Sequence, residues 1–254
     1  MALFGYQNAL DNTATTLAPS SAADGFSAEN LRIPQGSAIG ASSVAWQTPF
    51  GVTAASLLIA APAAVSWRAA CLSRTNLTTS ATMRVRVGAY DSGTISAGVA
   101  FGIGQALHLM PAAVSALAMQ IDIADPTNPD GLLNIPLCYA GPCIEAAISM
   151  GTDYGLEPKR DDAEMRGGTV FATYLAKRRG WALRLDVIRD ADIGWLDALE
   201  TIAAQGGNIL FVPLPNSARA SSEAVLGMLT PGRRGFVDRV AAFRSWSASI
   251  LERL

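Results

Sequence analysis

Histidine is almost absent from this sequence: His108 stands alone in 254 residues. That scarcity excludes whole classes of chemistry. A metal site built on several histidines has no ligands. A Ser-His-Asp or Cys-His relay would have to run through this single imidazole, and no Gly-x-Ser-x-Gly elbow supplies a nucleophile for it. His108 sits in the apolar run Gln105-Ala106-Leu107-His108-Leu109-Met110, where an imidazole is more often a hydrogen-bonded core or interface group than a base. Cysteine is scarce too. Cys71, Cys138 and Cys143 make an odd count, and the last two have the wrong spacing for zinc, with no histidine nearby. Phe101-Gly102-Ile103-Gly104 lacks the third glycine of a dinucleotide-binding turn.

Charge is the second scarcity. Only 16% of residues are charged and the net charge is −2, so no basic stripe is available for nucleic acid. The nearest approach, Lys177-Arg178-Arg179 with Arg184 behind it, reads as a solvated turn between two strands. The distribution is uneven. From Ile33 to Ile121 there are 89 residues and five charges, Arg68, Arg74, Arg84, Arg86 and Asp91. A monomer normally spreads charge over its surface for solubility, whereas obligate interfaces are depleted of it. The alternative is a β domain whose exposed positions are Ser, Thr and Ala. The uncharged stretches 33–67 and 92–121 are broken by prolines and glycines too often to cross a bilayer as a helix. The first sixteen residues have neither a basic nor a long apolar segment. A signal peptide is not expected, and folding in a cytoplasm is.

What is present is β patterning. Short apolar runs alternate with turn signals such as Asp24-Gly25, Asp91-Ser92-Gly93 and Asn128-Pro129-Asp130-Gly131. Residues 82–87 alternate strictly, with Met83, Val85 and Val87 on one face and Arg84 and Arg86 on the other, which predicts a half-buried strand. Residues 117–123 and 132–137 read as two strands joined by the Pro/Gly-rich turn, a hairpin or tight β corner. Charge content rises near Gly141, where the domain boundary is placed. Beyond it, residues 170–175 and 181–187 read as two strands around the basic turn. Asp190 or Asp192 caps a helix that ends at Gly206-Gly207, and residues 208–213 form a further strand. Residues 236–254 fit helical spacing through Phe243, Trp246, Ile250 and Leu254, and strand alternation through Arg244, Trp246, Ala248 and Ile250, and the strand is preferred. The expected fold class is mainly β: a β-sandwich over residues 1–140, then a second β domain over 141–254 with one packed helix at about 192–205.

Candidate chemistry is thin. Carboxylates that sequence proximity brings together are Asp122 with Asp125, the group Asp161, Asp162 and Glu164, and Asp186 with Asp190. A glycosidase needs only two, about 5–10 Å apart, but each has an ordinary structural role. Asp122, Asp125, Asn128 and Asp130 offer oxygens to calcium without the spacing or closing glutamate of an EF-hand. Turn formation explains them equally well. Tyr6, Trp46, Tyr90 and Tyr154 are the candidates for a sugar-stacking platform, with Trp46 better read as core. No catalytic, cofactor-binding or metal-binding residue is therefore assigned, and no enzyme activity is expected.

The run from Ser66 to Leu77 (SWRAACLSRTNL), followed by Ala81 to Val87 (ATMRVRV), resembles phage tail proteins with a discoidin-like jelly-roll at the N-terminus. The stretch from Ile121 to Gly131 (IDIADPTNPDG), leading to Tyr139-Ala140-Gly141-Pro142, resembles the end of that sandwich. The resemblance implies a second domain similar to the tail-tube or distal-tail ring fold. It implies a structural subunit of a tail tip or baseplate, in a ring-shaped homo-oligomer that contacts tube, hub and tape-measure proteins. Its place would be the virion tail, assembled in the host cytoplasm. The alternative expectation is a virion module that binds carbohydrate on the host surface.

Overall fold

The computed structural model describes residues 1–35, 44–100, 102–165, 170–238 and 243–253, and the chain is mainly β, as its alternation implies. It divides into two units. The first comprises Met1–Ala146 with Ile209–Leu226, the second Ala147–Asn208 with Gly227–Leu254. Relative to a boundary at 140/141, the first unit runs six residues further and takes back Ile209–Leu226. Among the described residues no helix is long and apolar enough to cross a membrane.

The first unit is a β-sandwich built on two long antiparallel strands, Ala54–Ser73 and Ala106–Ala124. Thr82–Val87 extends this pair on one side and Leu137–Gly141 on the other. Its inner face buries Trp46, Trp67, Leu57, Ile59, Met83, Val85, Val87, Met119 and Ile121. Burying a large apolar side chain contributes roughly 1.5–3 kcal/mol, so this cluster dominates the stability of the unit. A second cluster lies on the opposite face of the same strands. Ala69, Cys71 and Tyr139 pack there with Leu3, Leu210 and Val212, where Ala2–Gly5 pairs with Ile144–Ala146 on one side and Ile209–Val212 on the other. Coverage on both faces explains why Ala69-Ala70-Cys71-Leu72-Ser73 is buried at every position instead of every second one.

The two runs expected to form a hairpin do not pair. Residues 117–123 lie in Ala106–Ala124, which pairs with Ala54–Ser73, whereas the strand within 132–137 is Asn134–Ile135, and it pairs with Trp46–Gln47. The Pro/Gly-rich segment is a connection between them, not a tight corner.

The second unit is an antiparallel sheet in which Asp153–Glu164 pairs with Val170–Arg189, Val170–Arg189 with Phe243–Glu252, and Phe243–Glu252 with Val225–Asp238. The expected basic turn is absent. Val170–Arg189 is one strand of 20 residues, and Lys177-Arg178-Arg179 lies in its middle. Arg179 is only 3% exposed and is neutralised by Glu252, so a run of charge did not mark a solvated turn. The helix is present at Ile193–Ala204 behind a short 3-10 turn, Asp190–Asp192. Asp192 occupies its N-cap without a side-chain cap bond, and Gly206 closes it at φ +75°, where a side chain would be strained. Leu196 and Leu199 are its buried residues. Glu200 accepts from Trp246 Nε1 at 2.7 Å and from Arg234, tying helix to sheet. Phe243–Glu252 is a strand with Trp246, Ala248 and Ile250 buried; Leu254 and the helical spacing that used it lie outside the described residues.

Candidate functional site

The structure gives each candidate side chain a different setting. His108 lies on the Ala106–Ala124 strand, half-buried, with Nε2 2.8 Å from the Tyr90 hydroxyl and the two rings stacked at 5.9 Å. Burial lowers its pKa below the ordinary imidazole value, because the charged form loses hydration. The sign then follows. The unfolded chain takes up a proton near pH 6.5 and the folded one does so only at lower pH, so stability is complete above pH 6.5 and falls as pH drops below it. We expect the urea midpoint of the first unit to be flat from pH 8 to 7 and to decline from about pH 6.5 to 5. In His108→Gln that part of the decline should disappear.

The carboxylate pairs separate. Asp122 projects from its strand to Arg86 at 2.7 Å and Gln120 Nε2 at 2.8 Å. Asp125 is fully buried and accepts from the Thr78 amide at 2.7 Å, Thr78 Oγ1 at 2.8 Å and Asn128 Nδ2 at 3.2 Å. Its lone pairs are thus spent on the chain's own donors. Asn128 Nδ2 also donates to the Asn76 carbonyl, and Asp130 accepts from Asn76 Nδ2 at 2.9 Å. This is a turn closed by its own hydrogen bonds, in keeping with the turn-forming role of these residues. Asp186 bonds Arg184 at 2.8 Å, which with the Ser149 hydroxyl holds its carboxyl below the usual range, while Asp190 is paired with Arg244. The backbones of Asp161, Asp162 and Glu164 belong to the Asp153–Glu164 strand; their side chains lie outside the described residues. No cluster of three metal-ligating side chains occurs among the described residues. All three cysteines are free thiols, and burial pushes the Cys138 thiol up to about 12.

The four aromatics do not form a platform. Trp46 is core, with Nε1 donating to the Ser21 carbonyl at 2.9 Å, and Tyr6 is buried. Tyr90 is held by His108. Only Tyr154 is well exposed, and it belongs to the second unit, against Trp181. The exposed aromatic that sequence reading passed over is Phe50, 84% accessible on a loop whose Gly51 amide donates to the Gly131 carbonyl. Its place in Thr48-Pro49-Phe50-Gly51, a turn sequence, was the available signal. Gly102 and Gly104 turn the chain with positive φ, and Phe101 lies outside the described residues.

Two features remain that could meet another molecule. One is a trough of about 380 Å³ on the outer face of the first unit's sheet, lined by Ser56, Thr82, Arg84 and Asp122 among others. The other is the Asp153–Glu164 strand. It pairs on one side with Val170–Arg189, and no described strand pairs with its other edge. It exposes Tyr154 and Leu156, the latter 55% accessible, and the second unit also exposes Met165, Val187 and Phe236.

Comparison with known proteins gives no identity. No family model matches the chain, and no curated protein does. Among solved structures, the lectin domain of lectinolysin in complex with Lewis B antigen aligns at TM-score 0.41 and 13% identity, over 56% of this chain and 98% of that one. The family 32 carbohydrate-binding module of Clostridium perfringens (C. perfringens) NanJ, in complex with galactose, aligns at 0.39 and 10%, over 55% and 98%. A GH29 fucosidase from Ruminococcus gnavus aligns at 0.36 and 13%, over 55% of this chain, which spans about a quarter of the fucosidase's length.

Proposed function

We propose that this chain is a structural assembly subunit, of the kind found in a phage tail tip or baseplate, that closes with copies of itself into a ring. The observation that carries the reading is the edge of Asp153–Glu164, twelve residues long, with which no described strand pairs, beside exposed apolar side chains. An unpaired strand edge offers a row of amide and carbonyl groups to another strand, and monomeric proteins usually blunt or cover it. Here Tyr154 and Leu156 add exposed apolar surface beside that edge. Added to a first unit whose central 89 residues hold five charges, it fits a subunit made to be covered. Heterologous contacts of one patch against a different one close into rings. In this reading the chain does no catalysis, acts in the virion tail, and meets tube, hub and tape-measure proteins as its neighbours. Native mass spectrometry of the purified chain should show one closed oligomer of fixed copy number. A stable monomer at about 100 μM, well above the Kd of a micromolar contact, would refute the assembly reading.

A second reading, a module that binds carbohydrate on a host surface, is favoured by the trough on the first unit, whose lining mixes hydroxyl, charged and apolar groups. It does not require ring closure.

A further inference from the structure

We infer that this trough is a binding site for a neutral, hydroxyl-rich ligand, an oligosaccharide of two or three rings. The inference rests on the second reading and is independent of ring assembly. Three strands cross the trough in register. Ala54, Ala124 and Thr82 make one row, and Ser56, Asp122 and Arg84 make the next. Alternation points all six side chains to the outer face, and the core residues Ala55, Met83 and Ile123 between them complete the lining. The first row holds two alanine methyls, so the floor stays low where longer side chains would fill it. Ser20 and Thr94 add hydroxyls to the lining. The volume lies within the range that small-ligand sites occupy.

The charges decide the ligand class. Arg84 Nε bonds Asp91 Oδ1 at 2.8 Å and Arg86 bonds Asp122 at 2.7 Å. Two guanidiniums and two carboxylates cancel. An anionic ligand would have to displace a carboxylate from its arginine, and a cation would have to displace an arginine. A pair of neighbouring hydroxyls does neither, because it accepts from a guanidinium while donating to a carboxylate. Placement is the second argument. Of the five charges between Ile33 and Ile121, Arg84, Arg86 and Asp91 all lie at this face. Part-exposed ion pairs contribute little to stability, so stability does not account for a cluster of them in a stretch otherwise almost free of charge. Contact with a polar ligand does. No aromatic side chain lines the trough, which sets the expected affinity low.

The test is titration of the whole chain with maltotriose, chitotriose and lactose, followed by isothermal calorimetry and by amide chemical shifts. At least one probe should bind with a Kd on the order of 1 mM, with shifts centred on residues 54–56, 82–84 and 122–124. Ala124→Tyr fills the floor without removing a hydrogen bond, and should weaken binding by at least about tenfold with circular dichroism and unfolding midpoint unchanged. If that variant misfolds, Ala54→Tyr at the exposed start of its strand supplies the same block. Failure of all three probes at about 10 mM, or binding that a folded blocking variant leaves intact, would overturn the site. Binding centred on the Phe50 loop would also overturn it while leaving the second reading standing. Neither result alters the native mass that tests assembly.

Discussion

Replacing Glu252 by alanine is expected to cost the second unit up to about 3–5 kcal/mol, the range for removing one partner of a buried ion pair. The pair is well enclosed, with Arg179 at 3% and Glu252 at 8% exposure. Glu252 Oε2 accepts from Arg179 Nε at 3.0 Å and from the Arg179 backbone amide at 3.2 Å, while Oε1 accepts from Nη2. The carboxylate therefore does two things. It neutralises a guanidinium in the middle of a sheet, and it occupies a backbone donor next to Gly180↔Leu251, the end of the ladder between the two strands. Alanine removes both contacts and leaves the buried guanidinium less compensated. A domain holds only about 5–15 kcal/mol in total, so a large share of the unit's margin is at stake. Glu252→Gln keeps shape and an acceptor, and should lose less. Amide exchange across Val170–Arg189 and Phe243–Glu252 reads the effect locally, without assuming that both units unfold together. A loss below about 1 kcal/mol would mean that water reaches the guanidinium and that the pair acts as a surface pair.

That ion pair also shows where sequence reading runs out. Period-two alternation in residues 82–87 reports one covered face directly, and the strand lies where the pattern puts it, with Met83, Val85 and Val87 inside. The helix was legible for the same reason: apolar spacing, an aspartate at its start and paired glycines at its end are all local signals. Lys177-Arg178-Arg179 is different. Its burial depends on Glu252, 73 residues further on, and nothing near the triplet in sequence reports that partner. Pairing of Asn134–Ile135 with Trp46–Gln47 is equally non-local, whereas the expected hairpin followed from proximity alone. The trough was half legible. Arg84 and Arg86 were placed on an outer face, but only the register that sets Arg84 opposite Asp122, and Asp122 opposite Ser56, turns isolated polar residues into a lining.

Leu156→Lys should disperse the oligomer while leaving the fold intact. Leu156 is already 55% exposed, so the isolated chain has little burial to lose there, and lysine on an edge strand is a common natural device against edge-to-edge pairing. In the assembled state the same ammonium would lie in a strand-to-strand contact. Taking it out of water without a partner costs several kcal/mol, which weakens each contact by at least about a hundredfold. Because a closed ring repeats one contact around its circumference, the loss is multiplied and the population should shift to monomer. Met150→Lys is the matched control: Met150 is 94% exposed, on a turn outside the strand, and the same charge there should leave the native mass unchanged. Equal dispersal by both variants would indicate that general charge repulsion drives dissociation. No dispersal by Leu156→Lys would place the contact away from the Asp153–Glu164 edge, and the charge-poor face of the first unit would then be the surface to alter next.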